Sequence, residues 1–250
     1  RARHTTNLPC AMSIVIGEKG ESTPMRQVSS AMEAYLRTVY NLIEDGVPVR
    51  RARLRDRLGQ AGPTVTKAVL RLVRDDLISV GDDQLITLTS DGFEIAESVT
   101  RRHRLAERML VDLLDVPIVR AHDEALRWEH VLSDDAERGI AARLLGDLDS
   151  PWGLPIPGLD PRREDTDIVL PGQRLDELGT PPHDCRVTIR SISEDAQGDS
   201  GMIDALIAAG IIPGAPARVR SAAGCYIVHG LDKLEIPTKY VHAIRVVVQT

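Results

Sequence analysis

Apolar residues between Met32 and Gly46 recur at intervals of three and four, which predicts an amphipathic helix. Its apolar stripe consists of Tyr35, Leu36, Val39, Tyr40 and Leu42. The stripe stops just before a glycine, which is typical of a helix C-terminus, so we expect the helix to end near Gly46.

The stretch VRRARLRDRLGQAGPTVTKAVLRLVRDDL, residues 49–77, predicts a helix, a short turn and a second helix. The first helix should end at Gly59. Gly62 and Pro63 should open the second, since proline lacks only an amide hydrogen that is unpaired there anyway. In the second helix the positions expected to face inward are Val65, Val69, Leu72 and Val73, and the opposite stripe is Thr64, Lys67, Arg71 and Arg74. This pattern is typical of a DNA-binding helix-turn-helix.

Two short β-prone runs follow in LISVGDDQLITLTSDGF, residues 77–93, on either side of a Gly81-Asp82-Asp83 turn signal. They predict a hairpin, the wing of a winged helix. We expect Ser90 to cap a long helix that carries RRHRLAERMLVDLL, and a further helix from about Ala121 to Leu145.

The composition then changes. SPWGLPIPGLDP contains four prolines and marks either a boundary or an ordered extended segment. Beyond it, short strands separated by turn residues predict a small β-barrel. The expected units are a winged helix at 25–97, a helical domain at 98–165 and the barrel at 172–250. Residues 1–24 show no sustained period, and we interpret them as a tail or as sequence upstream of a natural start at Met25.

The bulk composition bounds the function. No apolar run approaches the ~20 residues of a membrane span, no secretory signal is visible, and the three cysteines form no CxxC pair. We therefore expect a cytoplasmic protein with no membrane partner. The net charge is −6, yet the segment Arg50–Arg74 holds eight basic residues and one acid, Asp56. Such a block favours an anionic partner, although a solvated helix face is the open alternative.

Histidines and carboxylates on the two later helices suggest metal binding. His103 and Glu107 are four residues apart and share a helix face. On the next helix the residues that would share a face are His122, Leu126, Glu129 and His130. His122 and His130 would lie about 12 Å apart along the axis, too far to share one ion. We therefore expect one site of His103, Glu107 and His122 and another that includes Glu129 and His130. Structural histidines and surface ion pairs remain the alternative, and the spacing is not the HExxH of a metalloprotease.

The chain resembles the diphtheria-toxin-repressor family of iron-dependent regulators. The resemblance is carried by YLRTVYNLIEDGV, RARLRDRL, GPTV, RRHRLAERMLVDLL, HDEALRWEHVLSDD, SPWGLPIPGLD, SEDAQGD and AAGIIPGA, and it runs from about Met25 to the C-terminus. It implies an α+β, mainly α, homodimeric repressor. A winged helix, a helical dimerisation domain with the metal sites and a C-terminal SH3-like barrel would make up each subunit. Fe²⁺, or Mn²⁺ in a sister group, would favour binding to double-stranded operator DNA.

The resemblance also implies ligands. The family's ancillary site would be complete, with His103, Glu107, His122, Glu194 and Gln197. In the primary site Glu129 and His130 match, but Ala34 and Leu126 stand where iron sensors carry sulfur ligands. We interpret the paired apolar replacement as a pocket packed rather than ligated, which would make DNA binding less dependent on metal.

The residues expected at DNA are Arg51, Pro63, Thr64, Thr66, Lys67, Arg71 and Arg74. Lys67 replaces the glutamine of iron repressors, and lysine prefers guanine. Two other hypotheses stay open. One is a DNA-binding regulator without a metal response. The other is a metal-dependent enzyme, which the absence of a nucleophile motif or a Gly-rich phosphate loop disfavours, so we expect no enzymatic activity.

Overall fold

A computed structural model describes residues 28–144, 148–160, 168, 170–179, 184–222 and 225–249. The expectation for residues 1–24 lies outside these ranges. The first half of the described chain is mostly helical, with α1 (Ser30–Glu44), α2 (Arg51–Leu58), α3 (Gly62–Arg74), β1 (Ile78–Val80), β2 (Ile86–Leu88), α4 (Ser90–Asp112), α5 (Ile118–Trp128) and α6 (Asp134–Arg143).

The helix-turn-helix forms as predicted. Helix α2 ends at Gly59, which takes the left-handed backbone (φ 60°) that glycine adopts without strain. Pro63 lies in the first turn of α3, and the three most deeply buried side chains of that helix are Val65, Val69 and Leu72. The expectation for Val73 is wrong, since this side chain is 40% exposed. At ~100° per residue Val73 lies about 80° around the helix from Val65, at the edge of the buried stripe.

The wing consists of β1 and β2, which pair antiparallel. The helix cap that follows is one residue earlier than predicted. The Thr89 hydroxyl, not that of Ser90, accepts a hydrogen bond from the Gly92 amide at 3.1 Å. The reason is that the Thr89 amide still bonds to the Leu77 carbonyl at the end of the wing, so Thr89 stays extended and Ser90 is already helical.

The predicted continuous helix from Ala121 to Leu145 is wrong. Helix α5 ends at Trp128, and α6 begins at Asp134. Ser133 is extended and accepts a hydrogen bond from the Ala136 amide at 3.3 Å, an N-cap that starts a new helix. Glu129 and His130 therefore lie in the corner between two helices rather than on a helix face.

The second half of the described chain is a sheet with short helices: β3 (Gln173–Arg174), β4 (Cys185–Ile192), α7 (Glu194–Gln197), α8 (Ser200–Ala208), β5 (Pro216–Ala222), β6 (Cys225–His229), β7 (Lys233–Ile236) and β8 (Ile244–Val248). The strand order is β3-β8-β4-β5-β6-β7, and all neighbouring pairs are antiparallel. The predicted short strands are confirmed, and they form one antiparallel sheet, whereas closure into an SH3-like barrel stays a prediction.

The proline-rich segment is ordered over residues 148–160 and joins the two halves. Trp152 is buried in the core of the C-terminal sheet, and its carbonyl accepts a hydrogen bond from the Ile192 amide at 3.0 Å. Three residues later, the Pro155 carbonyl accepts from Arg104 of α4 at 2.7 Å. Within the described ranges, no helix is long and apolar enough to cross a membrane.

Candidate metal centre

Three side chains from two helices form a buried cluster. His103 and Glu107 come from α4 and His122 from α5, and their ligand atoms all lie within 4.8 Å of one another. His103 Nε2 is 3.1 Å from His122 Nδ1 and 3.2 Å from Glu107 Oε1. The i, i+4 spacing on α4 turns the first two side chains toward α5. The cluster matches one of the two sites predicted from spacing.

A carboxylate outside the cluster orients His103. His103 Nδ1 donates to Glu129 Oε2 at 2.6 Å, and this hydrogen bond directs His103 Nε2 toward Glu107 and His122. Such a carboxylate–imidazole pair is the usual way in which proteins fix a metal-binding histidine. Burial alone would lower the pKa of His103, but the carboxylates of Glu194 and Glu107 outweigh it and raise the pKa to about 9.

The C-terminal half contributes two oxygen-bearing side chains on α7. Gln197 donates its amide hydrogen to the Ile192 carbonyl at 2.8 Å, which leaves Gln197 Oε1 buried without a hydrogen bond within the described residues. Glu107 Oε2 is likewise buried without a hydrogen bond within the described residues. A buried acceptor with no donor costs free energy, and a cation within reach of either atom would offset that cost. These residues therefore fit a metal ion.

Glu194, the second predicted ligand on α7, is held by positive and amide groups. Arg37 and Arg104 form ion pairs with its carboxylate, and Asn41 donates to it at 2.6 Å. Burial alone would raise the pKa of Glu194, but Arg37, His103 and Arg104 hold it well below its usual range. Glu194 thus stays ionised beside the cluster, as a metal ligand must be.

Glu129 and His130 are connected to the cluster by direct contacts, and their assignment as ligands of a second metal stays a prediction. Glu129 Oε2 bonds to His103, while its Oε1 lies 3.3 Å from Arg37 Nε and 3.3 Å from His130 Nε2. His130 Nδ1 donates to Glu33 Oε2 at 2.5 Å. The prediction kept these two residues apart from His103 because it placed them on a continuous helix.

Ala34 and Leu126 line a groove of about 770 Å³, which His122, Glu129 and His130 also line. Both side chains are only half-buried, so the interpretation that they pack the primary pocket shut is wrong. The physical reason is the lining itself. Most residues that line the groove are polar or charged, so the groove itself offers Leu126 few apolar partners.

The predicted DNA-contacting side chains of α3 all lie on its exposed side: Pro63, Thr64, Thr66, Lys67, Arg71 and Arg74. Arg71 and Arg74 lie 3.6 and 3.2 Å from Asp75, in ion pairs that are largely solvent-exposed. Such pairs contribute little and exchange readily for phosphate. Arg51 of α2 is half-buried and donates to Gln84 Oε1 of the wing at 2.8 Å.

Sequence reasoning missed the charged side of α1. Arg37, Asn41 and Glu44 are all buried, although α1 is otherwise an apolar helix on its inner side. Their spacing is i, i+4 and i+7, so they form one polar stripe along the helix. This polar stripe within an apolar helix was the signal that sequence reasoning could have used. Arg37 contacts Glu129 and Glu194, Asn41 contacts Glu194, and Glu44 contacts Arg104.

A winged helix joined to a buried imidazole–carboxylate cluster defines a metal-dependent DNA-binding regulator. Two family models match the chain, "Iron dependent repressor, N-terminal DNA binding domain" over residues 27–84 and "Iron dependent repressor, metal binding and dimerisation domain" over residues 89–158. The chain therefore belongs to the iron-dependent repressor family of transcriptional regulators and carries the family's DNA-binding and metal-binding domains. The predicted family is confirmed.

Similar proteins support this over most of the chain. The iron-dependent repressor IdeR of Mycobacterium tuberculosis is 40% identical over 234 residues, which cover 89% of this chain and 99% of that protein. The diphtheria toxin repressor of Corynebacterium diphtheriae is 38% identical over 225 residues, with coverage of 89% and 99%.

Solved structures extend the likeness to the fold. A manganese-dependent transcriptional repressor in complex with manganese is 27% identical, with a TM-score of 0.69 over 87% of this chain and 100% of that one. The IdeR of T. acidophilum has a TM-score of 0.72 over 90% of this chain and 100% of that one, and at 24% identity it shares the fold.

Proposed function

We propose that this chain is a homodimeric repressor that binds double-stranded operator DNA and responds to a divalent transition metal held by His103, Glu107 and His122. Fe²⁺ is the first candidate and Mn²⁺ the second. The observation that carries the proposal is the buried cluster of His103, Glu107 and His122 within the family's metal-binding domain. The unpaired buried oxygens of Glu107 and Gln197 support it.

The donor set fits this assignment. Two imidazoles, the carboxylates of Glu107 and Glu194 and the amide oxygen of Gln197 form a mixture suited to Fe²⁺, Mn²⁺ and the later divalent metals of the first row. When bound, the ion supplies a positive charge that joins α4, α5 and α7. The chain's own residues keep Glu194 ionised and hold His103 in the binding orientation through Glu129.

The exposed side of α3 is the proposed DNA-reading surface. Arg71 and Arg74 would contact phosphates, as would Arg51, and phosphate contacts fix position without reading sequence. Lys67 projects from the same side and would read a base edge, with a preference for guanine.

Exposed apolar side chains in the metal-binding and dimerisation domain support the dimer. Leu113 and Leu114, at the end of α4, are 45% and 52% exposed, and Val131 beyond α5 is 76% exposed. Large apolar side chains left in water within one domain commonly mark an interface. The finer assignments that accompany this proposal are an SH3-like C-terminal domain, a regulatory rather than enzymatic role and a cytoplasmic location.

A second candidate function is a regulator of the same fold without a metal response. It is favoured by one observation, namely that Ala34 and Leu126 supply no ligand to the groove that they line. The two candidates differ in whether metal changes DNA binding.

The test combines metal analysis with operator selection. Selection from random duplex DNA is run with Fe²⁺, Mn²⁺ and chelator, and bound metal is counted after dialysis. We expect about one ion per subunit and tighter operator binding with metal. The H103A/H122A variant should lose the ion, while the matched control H229A, an exposed histidine on β6, should keep it. Full metal retention in H103A/H122A, or identical selection in all arms, would contradict a metal-responsive function.

A further inference from the structure

The groove beside the cluster does not fit a metal ion. Ala34 and Leu126 have no donor atoms, and among the described residues Glu129 and His130 join no group of three ligand atoms like that of His103, Glu107 and His122. Glu129 Oε2 bonds to His103, while Glu129 Oε1 accepts no hydrogen bond within the described residues and lies 3.3 Å from both Arg37 Nε and His130 Nε2. His130 Nδ1 donates to Glu33. Too few free ligand atoms remain there to set the geometry of a transition-metal site.

We propose that the Glu33–His130 pair takes the place of a metal ion in this groove and ties α1 to the corner after α5 without metal. This inference rests on the proposed function and concerns how the groove lined by Ala34 and Leu126 regulates DNA binding. The pair would hold the DNA-binding half in one arrangement whether or not the buried cluster is loaded, so metal would modulate DNA binding rather than permit it.

The geometry of the pair supports this. Glu33 is on α1, directly before Ala34, and His130 is two residues beyond the end of α5. Their atoms are 2.5 Å apart, and their side chains are 19% and 22% exposed, so water screens the contact only in part. A hydrogen bond between an imidazole and a carboxylate in such surroundings is stronger than an exposed ion pair.

The pair is also the outer end of a continuous chain of polar contacts. His130 Nε2 lies 3.3 Å from Glu129 Oε1, and Glu129 Oε2 bonds to His103 at 2.6 Å. Arg37 of α1 reaches both Glu129 and Glu194. Helix α1 is thus linked to the buried cluster at two points, through Glu33 and through Arg37.

The position of α1 matters for DNA because α1 forms one core with the helix-turn-helix. Tyr35, Leu36 and Val39 belong to the same buried cluster as Val65 and Val69 of α3. Protein cores are close-packed and do not deform continuously, so a tie on α1 also constrains α3. The Glu33–His130 pair therefore acts on DNA affinity at a distance, as a positioning contact.

The experiment is a double-mutant cycle on the full-length chain in chelator, with the operator duplex obtained by selection. The variants are E33A, H130A and the double variant. The matched controls are E94A, an exposed carboxylate on α4, and H229A. We expect wild-type affinity in chelator to be within about tenfold of the metal-loaded value. Each single variant should lose about tenfold, and the double variant should lose no more than either single one.

A second readout does not depend on DNA. Hydrogen–deuterium exchange of α1 amides is followed in chelator for the same set of variants. E33A and H130A should exchange faster than wild type, and E94A should not. Bound metal is counted throughout, and E33A should keep the same stoichiometry as wild type.

The outcomes separate the two proposals. Additive or absent effects of E33A and H130A on both readouts overturn the tie. A wild-type protein that binds operator only with metal also overturns it and leaves the proposed repressor function standing. Loss of one bound ion in E33A overturns it as well, since Glu33 would then be a ligand. Failure to select DNA in any arm refutes the repressor function, and amide exchange then decides the tie by itself.

Discussion

Removal of the buried guanidinium of Arg104 should strongly destabilise the fold. Arg104 is completely buried on α4 and pairs with both oxygens of Glu44 on α1, with Nη1–Oε1 at 2.9 Å. It also donates to the Pro155 carbonyl at 2.7 Å and lies 3.4 Å from Glu194 Oε1. In R104M the methionine keeps much of the apolar packing but leaves the Glu44 carboxylate buried without its partner. The expected loss is about 3–5 kcal/mol of unfolding free energy.

Urea unfolding followed by circular dichroism measures this loss, provided that the transition is two-state. R104M/E44Q should lose less than the sum of the two single variants, because the unpaired buried charge is then gone. R138M is the matched control, since Arg138 pairs on the surface with Asp135 and should contribute less than about 1 kcal/mol. The reasoning is refuted if R104M costs no more than R138M, or if the double variant is additive.

Three further predictions concern metal and DNA. Because the pKa of His103 is raised to about 9, its imidazole carries a proton at neutral pH that metal must displace. Metal affinity, measured by competition titration, should therefore rise about tenfold per pH unit from pH 7 toward 9, and a flat profile would contradict this. R71A should weaken binding to all sequences and lower the salt slope by about 0.9, whereas K67Q should shift base preference toward adenine; unchanged binding in both would count against the helix-turn-helix interface. A34M/L126C should add a second metal-binding event and make operator binding more sensitive to chelator, and an unchanged stoichiometry would show that the groove cannot be converted into a site.

Local pattern was enough to predict the elements near the DNA. Gly59 and Pro63 punctuate α2 and α3, and the spacing of Val65, Val69 and Leu72 gives the buried side of α3. These are short-range signals, set by backbone preference and helix period. They failed at Thr89, where a strand hydrogen bond to a distant carbonyl decides which residue caps the helix.

The metal cluster was predictable in part for the same reason. His103 and Glu107 share one helix face, so their proximity follows from spacing, and the neighbouring helix α5 brings His122 to them. The break before Ser133 was less visible, because a helical apolar period continues across it. Without that break, Glu129 was assigned to a face that it does not occupy.

Tertiary contacts connect the two groups of predicted ligands, and Glu129 is the clearest example. Each of its oxygens contacts a histidine, His103 on one side and His130 on the other, while Arg37 approaches the second oxygen. A carboxylate shared in this way cannot change its bonding to one imidazole without affecting the other. Two ligand groups that are separate in sequence pattern are therefore one coupled system in space. The apolar residues Ala34 and Leu126 leave that system intact, because they lie along the groove and contribute none of its bonds.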